Sequence, residues 1–203
     1  MDSIESYLTI SSSAEALLKE KSSKFFAYAF PVNSIEEIQS RIVEVKNDHH
    51  SARHWCYAYR LNPDGKEFRA NDDGEPSHSA GDPILRQIDS RNLTNTLVIV
   101  VRYFGGIKLG VGGLIQAYGG AAAQALDQCR IIEKEIREEL RIEFDYTDMN
   151  DVMRIMKKFG ADMHEHEFLE SCWIVSRIRR KEFKEFHKQL SLLHKVNLIP
   201  KNE

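Results

Sequence analysis

The sequence predicts an α+β chain built from two domains, and three observations lead there. Residues 97–101, LVIVV, form an unbroken β-branched and leucine run, the mark of a strand buried on both faces. Between residues 14 and 129, strand-like stretches rich in aromatics alternate with stretches of helical periodicity. Beyond about residue 133 the order becomes strand, helix, strand, strand, helix, strand within about 65 residues, which is the order of a ferredoxin-like β-α-β-β-α-β sandwich.

Taken in order, AEALLKEKSSKFFAYAFPV (14–32) reads as two short strands with a break near Ser22 and Ser23. SIEEIQSRIVEVKNDHH (34–50) reads as a helix. Ser34 and Glu37 have capping-box spacing, and Ile35, Ile38, Ile42 and Val45 recur at helical intervals. HWCYAYRL (54–61), the turn NPDG and KEFRA (66–70) make a hairpin. NDDGEP (71–76) has loop chemistry, and SAGDPILRQIDS (79–90) starts a helix with Pro83 tolerated in its first turn. Residues 112–129 are helical, with Ala117, Ala121, Ala122 and Ala125 small enough to lie close to a sheet. EKEIREE (133–139) reads as a charged link. The boundary is set near residue 137, giving domains 1–137 and 138–203, the second small but complete.

Composition narrows the function classes. Apolar residues at 42% and charged residues at 29% suit a soluble globular chain. Residues 97–101 are too few to span a bilayer, and MDSIESYLTISSS lacks the basic flank and apolar core of a secretory signal. Cys56, Cys129 and Cys172 stand far apart with no CxxC spacing, which argues against a disulfide framework or a zinc site. The expectation is a cytoplasmic protein with no membrane, metal or cofactor. A net charge of −3 exerts no global pull on nucleic acid, so such binding needs a local basic patch.

The densest signal is RYFGGIKLGVGGLIQAYGG (102–120), which holds seven of the eleven glycines. Lys108 is not followed by a hydroxyl residue, so the P-loop pattern fails. Gly110 and Gly112 begin a GxGxxG motif, but Ile115 occupies its last position, so the dinucleotide fingerprint fails too. What remains is a strand, a glycine loop and a helix start near Gly112, flanked by Arg102 and Lys108. Helix starts offer unpaired N–H groups and partial positive charge to a phosphate or carboxylate. The plainer reading is that Gly105, Gly106, Gly110, Gly112 and Gly113 permit positive φ and tight packing, and spacing alone favours it.

Other polar groups carry the same double reading. HHSARHW gathers His49, His50, Arg53 and His54. His49 and His50 read best as helix C-terminal caps, while Arg53 and His54 are candidates for anion binding or acid–base work. Asp72, Asp73 and Glu75 surround a glycine turn and can act as a base or hold an ion, though Asx-turn bonding is the simpler role. His164 and His166 share one face of a strand and read as a solvated edge pair. Arg177, Arg179, Arg180, Lys181 and Lys184, near Trp173, Phe183 and Phe186, form a candidate RNA-binding segment. Its plainer reading is a solvated strand end and a helix whose Phe183 and Phe186 face the core. Cys56 reads as core.

VVRYFGGIKLGVGGLIQAYGG, with DDGEPSHSAGDPIL, ARHWCYAY and KSSKFFA upstream, resembles the YigZ/IMPACT family, in order through roughly residues 20–128. The second half looks like the small C-terminal domain of bacterial members, by a looser match. The resemblance implies a first domain with the fold of the second domain of ribosomal protein uS-five, a sheet with helices on one side. It implies a ferredoxin-like second domain similar to the fifth domain of elongation factor G. Eukaryotic members regulate translation through the amino-acid-starvation kinase pathway and carry a further domain that this chain lacks, so that role is not carried over. Arg53, His54, Asp72, Asp73, Glu75, Arg102 and the glycines at 105, 106, 110, 112 and 113 fit the family pattern. The chain departs from it at His78-Ser79, where Gly-Thr is usual, and at Asp82, where Lys is common.

These readings converge on a non-catalytic, translation-related binding protein whose ligand is RNA, a nucleotide phosphate, the ribosome or a protein partner. The rival is an enzyme using His54, Asp73 and Glu75 on a phosphorylated molecule seated at the glycine-rich helix start. A third reading is a purely protein-interaction module.

Overall fold

The computed structural model describes residues 4–169 and 171–200. Its elements are β1 (Ser6–Ile10), β2 (Ala14–Glu20), β3 (Ser23–Pro31), α1 (Ile35–Asp48), β4 (His54–Leu61), β5 (Glu67–Asn71), α2 (Gly81–Asp89), β6 (Thr96–Tyr103), α3 (Gly110–Asp127) and β7 (Ile131–Glu135). Then follow β8 (Arg137–Asp145), a 3-10 turn (Tyr146–Asp148), α4 (Met149–Phe159), β9 (Asp162–Phe168), β10 (Ser171–Arg179), α5 (Arg180–Ser191) and β11 (Val196–Pro200). Helices and largely antiparallel sheets are mixed along the chain, an α+β arrangement.

Among the described residues two compact units form, one of residues 7–134 and one of residues 135–169 and 171–200, the latter joined by residues 4–6. The Ile136 N–H donates to the Glu5 carbonyl at 2.8 Å, which helps tie that start to the second unit.

In the first unit β6 lies at the centre of a five-stranded sheet ordered β2-β3-β6-β4-β5. Residues 97–101 are fully buried, as a strand covered on both faces must be. Side chains alternate along it. Val98 and Val100 join Phe25, Cys56 and Ala58 in a core closed by Ile84 and Ile88 of α2 and by the alanines of α3. Leu97, Ile99 and Val101 meet Ile38 and Val45 of α1 on the opposite side. Helices therefore cover both faces, which corrects the expectation of helices on one side. α1 carries its own apolar stripe and must bury it somewhere, and the second face of a fully buried β6 is the complementary surface.

The capping box at the start of α1 is half as expected. Ser34 Oγ accepts the Glu37 N–H at 3.3 Å, but Glu37 Oε2 accepts from the Asn33 N–H at 2.7 Å rather than from Ser34. The charged stretch read as a link is mostly strand: β7 pairs with β1, and β8 begins at Arg137. Neither short strand has strong apolar alternation, so pairing partners distant in sequence decide them.

In the second unit β8, β10 and their neighbours form a four-stranded antiparallel sheet, ordered β11-β8-β10-β9. α4 and α5 cover one face through Val152, Ile155, Met156, Phe186 and Leu190. α4 ends at Gly160 in the left-handed conformation (φ 61°), a conformation a Cβ would penalise. Phe186 is fully buried and meets Phe159 edge-on, with ring centroids 5.6 Å apart. Phe186→Ala is expected to cost about 3–5 kcal/mol in urea denaturation of the full chain; a loss below about 1 kcal/mol would show that this core collapses around the gap.

Candidate functional site

β6 leaves the sheet at Tyr103, and residues 104–109 carry the chain to α3. A Cβ on Gly105 would lie 2.0 Å from the Ser22 carbonyl carbon, so the loop presses directly on the β2–β3 turn. The Gly105 N–H donates to Ser23 Oγ at 3.2 Å. Gly106 (φ 88°) and Gly110 (φ 72°) hold left-handed backbone. Gly113 would crowd the Leu109 Cβ at 3.0 Å. Gly112 is different: it is exposed and inside the helix, and a Cβ there would meet nothing within 4 Å.

The amino end of α3 is bare. Leu109 at the N-cap makes no side-chain capping bond, and the first turn has no acidic residue. Its free N–H groups and dipole favour negative charge. Lys108 is exposed just before it, as are Phe104, Ile107 and Val111.

Phe104 connects this loop to a buried polar cluster, because its ring faces the Arg102 guanidinium at 5.4 Å. Phe25 lies 5.6 Å from the same guanidinium. Arg102 Nη1 donates to Glu75 Oε1 at 2.6 Å, with the two side chains only 8% and 5% exposed. The Tyr118 hydroxyl, from α3, donates to the same oxygen at 2.9 Å. Arg102 Nε is buried without a partner among the described residues. Cys56 Sγ sits 2.9 Å from the Asp72 carbonyl and donates to it. Burial pushes both the Cys56 thiol and the Tyr118 hydroxyl far above their usual ranges, so both stay protonated donors.

The remaining sequence candidates hold this cluster in place. Asp72 Oδ1 accepts the N–H groups of Ala80 (2.9 Å) and Gly81 (2.8 Å), and Oδ2 accepts that of His78 (2.8 Å). Asp72 thus supplies the cap that the N-cap residue of α2, Ala80, does not. Asp73 Oδ2 accepts the Trp55 N–H at 2.8 Å, and His54 Nδ1, taken as the protonated nitrogen, donates to the Asp73 carbonyl at 2.9 Å. His54 also pairs in register with Arg102. The two departures from the family pattern meet one another, since His78 Nδ1 contacts Asp82 Oδ2 at 2.7 Å. The Ser79 hydroxyl donates to the Pro76 carbonyl at 2.6 Å.

His54, Asp72, Asp73, Glu75 and Arg102 therefore come together, as one hydrogen-bonded brace rather than as an open constellation. Arg102 is neutralised by Glu75, so it does not supply the exposed positive charge expected of it. Arg53 and Lys108 are exposed. Cys56 is core as the sequence reading has it, but its hydrogen bond into this cluster, and the part Tyr118 plays there, were missed. Their signal was only that Cys56 lies on the same strand face as His54, and that Tyr118 is the one aromatic residue in the small-residue helix.

His49 corrects another expectation. It stands at the C-cap of α1, but its ring bonds the Tyr28 hydroxyl (Nε2, 2.6 Å) and the Tyr103 hydroxyl (Nδ1, 3.0 Å). Burial pushes its pKa below the ordinary value against the pull of Asp48, so at neutral pH it caps no dipole with charge. In the second unit Arg177 pairs with Glu139 at 2.7 Å, Arg179 with Glu182 at 2.7 Å and Arg180 with Glu138 at 2.5 Å. Lys181 and Lys184 are exposed, while Phe186 is core and Phe183 packs against it. Three of the five cations proposed for RNA thus lie against carboxylates. His164 and His166 sit on the exposed strand β9, next to Arg177 and Phe168. Among the described residues no cluster of three or more His, Cys, Asp or Glu is arranged to hold a metal.

A family model described as the Impact N-terminal domain matches residues 21–126, the segment that contains the brace and the loop. The chain is 32% identical over 190 residues to IMPACT family member YvyE of Bacillus subtilis, covering 94% of this chain and 88% of that protein. It is 31% identical to IMPACT family member YigZ of Escherichia coli, covering 75% and 76%. This chain belongs to the IMPACT family. A crystal structure titled as that of a hypothetical protein superposes with a TM-score of 0.76 at 26% identity, over 99% of this chain and 100% of the other. Within the matched segment the candidate residues thus divide mainly into a hydrogen-bonded brace and a glycine loop.

Two measurements test this division. Gly105→Ala is expected to destabilise by about 1–3 kcal/mol, because backbone must shift to admit the Cβ. Gly112→Ala is expected to stabilise by up to about 1 kcal/mol, because it meets open space within a helix. Equal effects in urea denaturation would show that the two glycines share one role. Burial acts to raise the Asp72 pKa, but its bonds from Gly81, His78 and Ala80 outweigh this and hold it below the ordinary carboxylate value. A depressed folded-state pKa contributes stability above the unfolded value of about 3.9 and loses it as pH falls through the folded value. Asp72→Ala is therefore expected to cost about 1–2 kcal/mol at pH 7, and the difference from wild type should narrow below pH 4.

Proposed function

We propose that this IMPACT-family protein is a non-catalytic, translation-related binding protein of the cytoplasm, and that RNA phosphate is what the exposed glycine loop and the start of α3 engage. The observation that carries the reading is Gly112. Neither packing nor positive φ demands glycine there, so a helix position that costs up to about 1 kcal/mol has been left bare. A bare backbone beside uncapped N–H groups and Lys108 is suited to close approach by an anion. Free Cys56, Cys129 and Cys172 are consistent with a reducing compartment, and no helix of the described residues is long and apolar enough to cross a membrane.

The acid–base residues that suggested an enzyme are engaged otherwise: Glu75 with Arg102 and Tyr118, Asp73 with the Trp55 N–H group, and His54 with the Asp73 carbonyl. That favours binding over turnover. As folds, we read the second unit as ferredoxin-like, supported by its strand order, and the first as akin to the second domain of ribosomal protein uS-five.

Binding of a labelled ribosomal-RNA fragment by fluorescence anisotropy tests the proposal. Affinity should fall steeply with salt, and Lys108→Ala should shallow the log–log slope by about one. Undetectable binding at low salt, or a slope that Lys108→Ala leaves unchanged, would overturn it.

A further inference from the structure

α1 ends at Asp48, so it leaves uncovered the far end of the sheet face on which it lies. There Phe26, His49, Tyr103 and Phe104 line a cavity of about 350 Å³ together with Ser22 and Lys24, a size within the range of small-ligand sites. The rings are arranged by strand register. Lys24 lies opposite Tyr103, and Phe26 opposite Val101 two pairs further in, on the same face. The Phe26 and Tyr103 rings meet edge-on at 5.7 Å, and the His49 ring lies 5.1 Å from Phe26. Because His49 bonds the hydroxyls of both Tyr28 and Tyr103, the Tyr103 ring is held before any ligand arrives. Phe104 is 58% exposed at the rim, and Leu17 is exposed opposite Phe26.

Lysines gather at the turn end of these rings, while the carboxylates of Glu15 and Asp48 act on the inner end, at Tyr28. Lys19 pairs in register with Lys24 on the same face, and Lys21 stands in the turn between them, all three exposed. Glu15 lies further along that face, opposite Tyr28. Flat rings beside several cations make up the chemistry that holds an unpaired nucleotide: the base stacks and the phosphates meet lysine. A protein partner would be met equally by the rings but has no need of three lysines at the rim.

We infer that this aromatic shelf is a base-stacking subsite for single-stranded RNA, with Phe104 and Tyr103 receiving a base and Lys19 and Lys24 receiving its phosphates. The inference rests on the RNA reading of the glycine loop, which begins at the same Phe104, and extends it from phosphate contact to base contact.

The test compares a fluorescein-labelled single-stranded RNA octamer with an abasic octamer carrying the same phosphates, by anisotropy at low salt. The base-bearing octamer should bind about tenfold more tightly, in line with one stacked base. Phe104→Ala, an exposed substitution, should remove that advantage and leave the abasic octamer unchanged. Lys24→Ala should weaken both. If both octamers bind equally, or Phe104→Ala weakens both alike, the stacking subsite is wrong while the phosphate reading survives. If neither octamer binds, both fall. Circular dichroism of each variant separates these outcomes from misfolding.

Discussion

The contact between Arg102 and Glu75 organises the candidate site, because it joins three segments that no local interaction would hold together. Arg102 ends the central strand, Glu75 belongs to the loop after β5, and Tyr118, which shares the carboxylate, belongs to α3. Two charges this deeply buried are tolerated only with close pairing and further hydrogen bonds. Removing one partner strands the other, whereas an apolar replacement of both can be neutral. What the pair contributes is therefore position. It holds the 72–80 loop against the end of β6 and leaves the glycine loop on the outside.

That arrangement separates two kinds of polar residue that look alike in one dimension. Asp72, Asp73, Glu75, His54 and Arg102 are spent on backbone and on each other. Lys108, Lys24, Lys19 and Arg53 face solvent. The same separation applies in the second unit, where Arg177, Arg179 and Arg180 sit against Glu139, Glu182 and Glu138. Such partly exposed pairs add little stability, but they remove most of the net positive charge that the segment shows when read as a string. Exposed lysines remain at the β2–β3 turn and at the start of α3, which is where the proposed phosphate contacts are put.

Much of the architecture was legible. The β6 run announced burial on both faces because its apolar residues do not alternate. The capping box marked α1, and the β-α-β-β-α-β order of the second unit followed from periodicity. The glycine segment was also correctly picked out as the place where strand becomes helix. Less was legible where partners are remote. β1 and β7 have weak patterns and exist by pairing with each other. His49 looked like a helix cap because Tyr28 and Tyr103, which claim its ring, lie 21 and 54 residues away. The lysines at 19, 21 and 24 were not among the candidate binding residues, although KSSKFFA was part of the family resemblance, since nothing in KEKSSK says that Tyr103 and Phe104 will stand beside them.

By itself the sequence determined most of the elements, the family and the short list of residues where function was to be sought. These depend on local spacing and local backbone preference, which a linear chain records directly. The tertiary structure alone decided which of those residues are buried props and which meet solvent. A side chain's role depends on burial and on its partner, and strand register brings partners together from opposite ends of the first unit. Arg102 and Lys108 are six positions apart in one motif, yet one is a neutralised strut and the other a free cation, because only one of them faces Glu75.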